Sequence, residues 1–556
     1  MSIIAPLSPD DKNLGAYYTA QEVADFLVRW AVKTNTDRIL DPSFGGGVFL
    51  HAACRQLAQF HGNPAQSVLG VELDSAAHGQ VCLALQHEYG VPGSQLTRAD
   101  FFSLEPGSIS VDAVVGNPPF IRYQRFSGAC RQRAIQVAAS GGVRLSELSS
   151  SWAPFVVHST SMLRFGGRLG FVLPAEIMHA AYARPILEFL NRTFANISFV
   201  TFRRRLFPEL SQDTLLLLAD AKTCNASARV RLRQLNDSHD LVKIPIGTGR
   251  PVAKRSLRMA SVVNGTDRFA KQLLPKGVRD LYDSLAQHPR VARLDQLADV
   301  GIGYVTGGND FFHLGKEDAE KWEIPQQFLR PALCRGRGLA GLVFSAADWE
   351  RAAANREAAL LLHLPNKDTP LPKEVRAYIE FGEARGVHRA FKCRTRSPWY
   401  RVPHVREADA FLSYMSGTLP KFAVNRARAV APNTLHVVRM HPLSNVSSST
   451  IALSWQSSLT QLSAEIEGHA MGGGLLKLEP KEAERILVAL PQFPQDVLFK
   501  HVQTLDVMVR QIPEPAMQKI VDNLILVSQL GLTPSDCTAL KRAAECLRMR
   551  RMPKAG

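Results

Sequence analysis

The chain has 556 residues, of which 46% are hydrophobic, so we expect two or three folded domains and can exclude global disorder. Its eight cysteines are scattered singly without a C-x-x-C pair, which disfavours a zinc site or a disulfide scaffold and suits a reducing cytosol. The N-terminal residues lack the apolar segment of a signal peptide, and no uncharged apolar run approaches the roughly 20 residues that cross a bilayer. We therefore expect a cytoplasmic protein with no membrane partner.

The net charge of +16 is distributed unevenly along the chain. Residues 1–220 contain 18 basic and 18 acidic side chains, so the whole excess lies in the remainder. A neutral first part and a basic second part predict a catalytic module joined to a module that binds a polyanion. The alternative is ordinary surface charge that only keeps the protein in solution.

The first predicted elements are a helix and a nucleotide-binding turn. An amphipathic run over residues 21–32 predicts the helix, with Thr19 as its N-cap and Glu22 completing a capping box. Residues 38–40 then form a short strand, and a helix that continues to about Phe60 follows a turn with the sequence Asp41-Pro42-Ser43-Phe44-Gly45-Gly46-Gly47. Glycines let the backbone approach a ligand, and a helix N-terminus presents free N–H groups, so this pattern is typical of an α/β nucleotide-binding unit.

Three further strand-like runs follow, and each one ends at a polar side chain. Glu72 follows the second strand, Asp100 and Phe101 follow the third, and Asn117 follows the apolar run at residues 111–115. A carboxylate after the second strand can hold a ribose diol, while Asp100 can accept from an adenine amine as Phe101 packs on the ring. Each carboxylate alone is more often a helix cap, but the series predicts a ligand site, because parallel strands end at one edge of a sheet.

The tetrapeptide Asn117-Pro118-Pro119-Phe120 is the stretch around which the chain is organised. Its two prolines fix the backbone, so we expect the Pro118 carbonyl and the Asn117 amide oxygen to point at one place beside the Phe120 ring. Two acceptors would draw the N–H bonds of an aryl amine and free its lone pair for attack. A Pro-Pro turn that only ends the strand is the alternative.

Taken together, these residues resemble the S-adenosylmethionine-dependent DNA adenine-N6 methyltransferases. Their order resembles the gamma group of that family, which includes the TaqI-like modification enzymes of restriction–modification systems. The resemblance implies an α/β fold, a Rossmann-like methyltransferase sheet with an antiparallel last strand, and S-adenosylmethionine as the cofactor. It also implies a set of cofactor-binding residues, namely Tyr17, Thr19, Asp41, Pro42, Gly45, Gly47, Glu72, Asp100, Phe101 and Asn117.

The resemblance continues through an apolar helix from residue 152 to 163, a fifth strand at 166–174 and a last strand at 214–218. Phe207 lies where the family places a second aromatic wall around a flipped base, with core packing as its alternative role. Relatives often carry Asp-Leu-Tyr where this chain has Ser-Ser-Ser-Trp at residues 149–152, so a contact to the cofactor or the catalytic loop is in question.

Two regions are predicted to meet DNA. Residues 122–150 resemble a mobile basic loop that either grips phosphates through Arg122 and Arg125 or is simply solvated. In the second half, basic residues are interleaved with aromatic ones, which suits phosphate contacts and the reading of base edges. The candidates there, each of which alone is more often a surface charge, are Arg394, Arg396, Lys421 and Arg426.

A shift in composition near residue 222 predicts the domain organisation. We expect a catalytic domain over residues 1–235, a connector over 236–290, a mixed α+β target-recognition domain over 291–495 and a helical segment of no assigned role over 496–556.

The family resemblance implies methyl transfer to the N6 amine of an adenine that is flipped out of duplex DNA, without a metal. The expected partners are double-stranded DNA and a separate restriction endonuclease or other defence proteins, in the cytoplasm with the nucleoid. The rival interpretations are methylation of RNA adenine or of protein glutamine, and a non-catalytic DNA-specificity subunit. The intact Asn-Pro-Pro-Phe sequence argues against the last, and the large basic second half argues against a glutamine methyltransferase.

Overall fold

The computed structural model describes residues 19–121, 125–146, 149–178, 181–207, 213–246, 251–253, 255–257, 261, 268–355, 358–364, 370–471, 474–511 and 514–552. Tyr17 and Arg122, for which contacts are predicted, lie outside these ranges. The chain divides into two units, Met1–Leu273 and Leu274–Gly556. Over the described ranges, no helix is both long and apolar enough to cross a membrane.

A sheet organises the first unit. Within the described residues its strands are β1 (Ile39–Asp41), β2 (Val68–Glu72), β3 (Leu96–Arg98), β4 (Val111–Gly116), β5 (Leu163–Pro174), β6 (Phe194–Phe202), β7 (Thr214–Lys222), β8 (Arg229–Leu235) and β9 (Arg255–Leu257). They are arranged in the order β3-β2-β1-β4-β5-β7-β6-β8-β9. The first five strands pair in parallel, whereas β7 is antiparallel to both β5 and β6. The predicted Rossmann-like sheet with its antiparallel last strand is thus confirmed, and β8 and β9 extend it beyond β6.

The helices of the first unit are α1 (Gln21–Ala31), α2 (Val48–Gln59), α3 (Pro64–Ser67), α4 (Ser75–Tyr89), α5 (Gly128–Ser140), α6 (Trp152–Ser161), α7 (Arg184–Thr193) and α8 (Phe269–Gln272), as far as this unit is described. Every residue of β4 is buried, as expected for a central strand covered on both faces. The capping box predicted at Thr19 and Glu22 is wrong, since Ala20 is the N-cap of α1 and makes no side-chain cap.

Helix α5 lies inside the stretch that was predicted to be a mobile basic loop. Ala134 and Ala138, four residues apart, are fully buried, and α5 packs against α6. The prediction failed here because alanines bury one side of a helix without forming the large apolar stripe by which such a side is normally recognised.

The second unit has the predicted mixed α+β character. Its described strands are β10 (Val291–Arg293), β11 (Ala298–Ile302), β12 (His313–Leu314), β13 (Leu329–Leu333), β14 (Val343–Phe344), β15 (Ala358–Leu362), β16 (Ala410–Ser413), β17 (Met415–Ser416), β18 (Phe422–Asn425), β19 (Leu435–Met440), β20 (His469–Ala470), β21 (Leu476–Lys477) and β22 (Leu487–Ala489). They form sheets of the order β11-β19-β16-β18-β14, β12-β15-β13, β17-β21-β20 and β10-β22.

Helices surround these small sheets. Those that fall in the described part of the unit are α9 (Lys276–Leu285), α10 (Asn309–Phe312), α11 (Lys316–Lys321), α12 (Ala346–Ala354), α13 (Lys373–Ala384), α14 (Phe391–Arg394), α15 (Ser448–Trp455), α16 (Ser458–Glu467), α17 (Pro480–Ala483), α18 (Gln495–Gln511), α19 (Glu514–Val521) and α20 (Pro534–Arg551). The described residues of the segment over 496–556, for which the sequence suggested no role, are mostly helical.

The last helix, α20, is fixed to its unit by a buried ion pair. Arg551 donates to both carboxylate oxygens of Glu465 at 3.0 and 2.8 Å, and each side chain is 2% exposed. The same guanidinium donates to the backbone carbonyls of Gly417, Thr418 and Gly474. One side chain of the final helical turn therefore holds two loops of the unit in place.

Candidate active site

The carboxyl ends of β1, β2 and β4 meet at one edge of the first sheet. Asp41 ends β1, Glu72 ends β2, and Asn117 directly follows β4. Because β1 lies between β2 and β4, the glycine-rich turn after β1 stands between the other two side chains. The arrangement predicted from the series of strand ends is therefore present.

The glycine-rich turn is fixed to the end of β2. The Gly45 N–H donates to Glu72 Oε2 at 2.8 Å, while Glu72 Oε1 accepts from the N–H groups of Leu73 and Asp74, each at 2.8 Å. Gly47 has φ +75°, and a Cβ at this position would lie 2.8 Å from Val81 Cγ1. Glycine is thus required at Gly47 both by its backbone conformation and by the close approach of α4.

Asp41 is a fully buried carboxyl with one free oxygen. Its Oδ1 accepts from the Ser43 N–H at 3.1 Å, and its Oδ2 has no hydrogen-bond partner among the residues that the structure describes. Burial, assisted by the nearby Glu72 carboxylate, raises the pKa of Asp41 from 3.8 to about 8. A cationic ligand group placed here would restore the carboxylate charge, so Asp41 fits the ammonium or sulfonium of S-adenosylmethionine.

Gly116 allows the Asp41 carboxyl and the loop that begins at Asn117 to be neighbours. A Cβ on Gly116 would lie 2.9 Å from Asp41 Oδ1 and 3.4 Å from Pro42 Cδ. Any side chain at the end of β4 would therefore push the turn after β1 away from the loop that begins at Asn117.

Asn117 presents its amide oxygen without a partner. Its Nδ2 donates to the Thr19 hydroxyl at 3.2 Å, which orients the amide. Its Oδ1 is buried and accepts no hydrogen bond from the described part of the chain. A buried acceptor normally has a donor, because leaving it unsatisfied costs about 1–3 kcal/mol. The site therefore offers a fixed acceptor for an N–H group of a ligand. The sequence predicted Thr19 as a cofactor contact, and its role in orienting Asn117 was missed.

Ser151 holds the loop that contains the two prolines. Its hydroxyl donates to the Pro119 carbonyl and accepts from the Ile121 N–H at 2.9 Å, and its own N–H donates to the Ile121 carbonyl at 3.0 Å. These three bonds bracket Phe120 on both sides. Sequence reasoning treated this serine only as a departure from the family pattern, and nothing local in the sequence could show its contact with a loop 30 residues earlier.

Ser150, the residue before it, joins a second, partly buried network. The Tyr182 hydroxyl lies 2.5 Å from Glu176 Oε1 and 3.2 Å from Ser150 Oγ, and the Trp152 indole N–H donates to the same Glu176 oxygen at 3.0 Å. Burial, together with the Glu176 carboxylate, raises the pKa of the Tyr182 hydroxyl. The run at residues 149–152 thus connects the start of α6 both to the catalytic loop and to the segment after β5.

Asp100 and Phe101 are engaged with other side chains. Asp100 Oδ1 accepts from the Phe102 N–H at 3.1 Å, and its Oδ2 pairs with Arg133 Nη1 of α5 at 3.2 Å. The Phe101 ring is 3% exposed and stacks on Phe155 with the ring centroids 5.4 Å apart. The contact from Arg133 was not expected, since α5 itself was not predicted.

The two aromatic residues predicted to enclose a flipped base are both buried in the core of the first unit. Phe120 is 9% exposed and Phe207 is 3% exposed. Their stacking on a base stays a prediction, as does the acceptor role of the Pro118 carbonyl.

The DNA-binding candidates have different surroundings. Arg125, Arg394 and Arg426 are exposed. The Lys421 ammonium donates to the Leu339 carbonyl at 2.8 Å, and Arg396 donates to the carbonyls of Thr306 and Val305 at 2.6 and 2.5 Å. No group of three or more His, Cys, Asp or Glu side chains is placed to hold a metal ion in the part of the chain that the structure describes.

A largely parallel sheet of this strand order, with a glycine-rich turn, acidic strand ends and a free amide oxygen after β4, gives the first unit the fold of Rossmann-like methyltransferases. Residues 5–187 match the family described as N-6 DNA Methylase, and residues 266–526 match the family described as Type II methyltransferase M.Eco57I, C-terminal domain.

Similar proteins extend over both units. Type II methyltransferase M.AccI of Acinetobacter calcoaceticus is 20% identical over 481 residues, which cover 85% of each chain. Type II methyltransferase M.XamI of Xanthomonas campestris pv. amaranthicola is 23% identical over 494 residues, which cover 87% of this chain and 86% of the relative. A solved nuclease-deletion mutant of the Type ISP restriction–modification enzyme LlaGI, in complex with a DNA substrate mimic, shares the fold with a TM-score of 0.52 and 11% identity, over 88% of this chain and 46% of that one.

The two family matches and the relatives M.AccI and M.XamI together support an N6-adenine DNA methyltransferase of restriction–modification systems. The resemblance identified from the sequence is confirmed to this level, and its assignment to the gamma group stays a prediction.

Proposed function

We propose that this protein transfers the methyl group of S-adenosylmethionine to the N6 amine of an adenine flipped out of a specific duplex DNA sequence. The observation that carries the proposal is the buried Asn117 Oδ1, which has no partner in the described residues and lies next to the turn of Asp41. The family match of residues 5–187 supports the choice of an N6 amine as the acceptor.

The residues of the catalytic loop act on the adenine amine. Asn117 Oδ1 would accept one N–H and the Pro118 carbonyl the other, which draws the nitrogen towards a tetrahedral shape and frees its lone pair. Phe120 and Phe207 would hold the ring flat between them. Because Thr19 and Ser151 fix this loop before the substrate arrives, the acceptors need no reorganisation during the reaction.

The cofactor site would be formed by the strand ends. Asp41 would face the positive charge of S-adenosylmethionine, Glu72 its ribose and Asp100 its adenine, and Gly45 and Gly47 would let the backbone approach. When bound, S-adenosylmethionine supplies an electrophilic methyl group on a positively charged sulfur. Further contacts are proposed for Tyr17, Thr19, Pro42, Phe101 and Asn117.

The biological role we propose is modification of host DNA in the cytoplasm, at the nucleoid, alongside a separate restriction endonuclease or other defence proteins. The relatives M.AccI and M.XamI are both named Type II methyltransferases, which supports this role. Phosphate contacts are proposed for Arg122, Arg125, Arg394, Lys421 and Arg426.

The reaction is tested by transfer of tritiated methyl groups from S-adenosylmethionine to duplex DNA, RNA and protein. Asn117→Ala should lower kcat on DNA by on the order of 10²-fold or more, because one acceptor for the developing positive charge is lost. Cofactor binding, measured by calorimetry, should change only a few-fold.

The matched control is Asn196→Ala, which removes a β6 side-chain amide that donates to Asp220 of β7 and should leave transfer intact. Loss of both transfer and cofactor binding in Asn117→Ala would show that the residue is misassigned. Label found only in RNA or protein would reject DNA as the substrate.

A further inference from the structure

The positive charge of the second unit is concentrated in one short stretch. Residues 274–556 contain 37 basic and 29 acidic side chains, a net of +8. Residues 385–406, here named the basic segment, contain seven Arg or Lys side chains and no Asp or Glu. A surface charged only for solubility mixes both signs, so this 22-residue stretch without a carboxylate indicates a polyanion as its partner.

The basic segment is anchored to the turn at residues 305–308. Arg396 donates to the carbonyls of Thr306 and Val305, and Cys393 is fully buried beside them. Gly307 has φ +82°, and a Cβ there would lie 2.7 Å from Lys392 Cβ, so glycine alone permits this approach. The side chains around Lys392 are therefore presented from a fixed backbone, which favours a binding surface over a freely moving loop.

An exposed aromatic ring lies within this charge. Phe391 is 64% exposed, and its ring has Lys392 Nζ at 5.7 Å and the Arg394 guanidinium at 5.3 Å from its centroid. A ring that stacks on bases, flanked by cations that meet phosphates, is the combination by which proteins hold unstacked nucleic acid. The exposed cations of the basic segment are Arg385, Arg389, Lys392, Arg394 and Arg406.

We propose that the basic segment is a DNA-binding surface on which Phe391 stacks against a base that is unstacked from the bound duplex, while the exposed cations bind the neighbouring phosphates. Arg396 acts as the anchor of this surface, since its guanidinium is bonded to backbone carbonyls. The inference rests on the proposed function, in which duplex DNA is the substrate.

The charge part is tested with the full-length protein and a short fluorescently labelled duplex, by anisotropy over a series of salt concentrations. Arg389→Gln, Lys392→Gln and Arg394→Gln combined should weaken binding and reduce the slope of log Kd against log salt by roughly 2 to 3, at about 0.9 for each phosphate contact. Three exposed lysines of the same unit provide the control, namely Lys316→Gln, Lys321→Gln and Lys373→Gln combined, which should keep the wild-type slope.

The stacking part is tested by Phe391→Ala and Phe391→Trp. The alanine variant should raise Kd by roughly 5- to 100-fold with the salt slope unchanged, and the tryptophan variant should keep wild-type affinity. Phe165→Ala is the matched control, because Phe165 is 70% exposed and also has a cation, Lys222 Nζ, 6.0 Å from its ring. Unfolding temperature and cofactor binding of every variant should equal those of the wild type.

A wild-type salt slope in the triple variant would contradict phosphate binding by the basic segment. An unchanged affinity in Phe391→Ala would contradict the stacking of Phe391 on a base. Tighter binding of a structured RNA than of the duplex would overturn the choice of DNA. If the wild-type protein methylates DNA while these variants bind normally, only this inference fails. If the wild type neither binds nor methylates DNA, the proposed function itself fails.

Discussion

At Asp41, burial opposes the charge that a carboxylate normally carries at neutral pH. With a pKa of about 8, the folded protein without a cationic ligand keeps this side chain protonated at pH 7. The same carboxyl in the unfolded chain ionises near its ordinary value of 3.8. The folded state therefore binds the proton more tightly, and the resulting stability is present in full below about pH 4 and is lost as the pH rises through about 8.

Asp41→Asn is uncharged at every pH and nearly isosteric, so it should not show this loss. Without ligand, the unfolding temperature of the variant relative to the wild type should rise steadily between pH 5 and pH 8. Thermal unfolding followed by circular dichroism measures the difference. The exposed Glu105→Gln serves as the control, and a difference for Asp41→Asn that is independent of pH would contradict the raised pKa of Asp41.

Residue identities at the site could be predicted, but several of their contacts could not. Asp41, Glu72 and Asn117 were found because each follows an apolar strand, which is a local pattern. The partners Arg133 and Ser151 lie 33 and 30 residues away from the groups that they contact, and no spacing rule connects them. Such contacts depend on how helices pack, and one sequence does not encode that packing as a visible pattern.

Among the elements, the start of α6 determines how firmly the loop after β4, at residues 117–121, is held. The prolines fix φ at two positions, but the direction of the loop depends on what its carbonyls and N–H groups bind. Ser151, at the start of α6, supplies those bonds to Pro119 and Ile121. Although residues 149–152 depart from the family pattern, Ser151 thus makes a local contact to this loop.

Ser151→Ala should lower kcat by about 10- to 100-fold, because a small misplacement of reacting groups can cost up to about 10²-fold. The KM for S-adenosylmethionine should change little, and Ser151→Thr should restore kcat since it keeps the hydroxyl. Steady-state methylation kinetics with varied cofactor separate these effects.

Ser161→Ala removes a hydroxyl that donates to the His158 carbonyl at the other end of the same helix, and it serves as the control. If Ser151→Thr is as slow as Ser151→Ala, the hydroxyl is not what positions the loop.

Strands β1 to β5 and β7 of the first unit were predicted within a few residues, because their apolar runs and glycine-rich turns are local signals, whereas β6, β8 and β9 were not predicted. The second strand was expected at residues 68–71 and is found at Val68–Glu72. Helix α5 was missed for lack of large apolar residues, and the start of α1 was misread since the Thr19 hydroxyl binds Asn117 instead of the helix.

At the scale of the whole molecule, the charge is divided between the units differently from the sequence interpretation. Residues 221–273 contain 11 basic and 3 acidic side chains and belong to the first unit, so each unit carries a net charge of +8. The composition shift near residue 222 marks where the excess of basic over acidic residues begins, and β8 and β9 still belong to the methyltransferase sheet. The four-part domain division stays a prediction.

Each unit has its own buried core, so we expect two transitions in calorimetric unfolding. S-adenosylhomocysteine should raise only the transition temperature of the first unit, because a ligand stabilises the unit that binds it. Leu361→Ala, at a fully buried position of β15, should lower only the free energy of unfolding of the second unit, by about 2–5 kcal/mol. A single transition that shifts as a whole in both experiments would contradict this expectation.

The pairing of Arg551 with Glu465 has a consequence for exchanging recognition modules between related enzymes. Arg548 and Arg551, which both pair with Glu465, lie on α20. A graft that ends before this helix would leave a carboxylate in the interior without a counter-charge, a situation that typically destabilises a protein by about 3–5 kcal/mol. A recognition module transferred from this protein to another enzyme must therefore include α20 through Arg551.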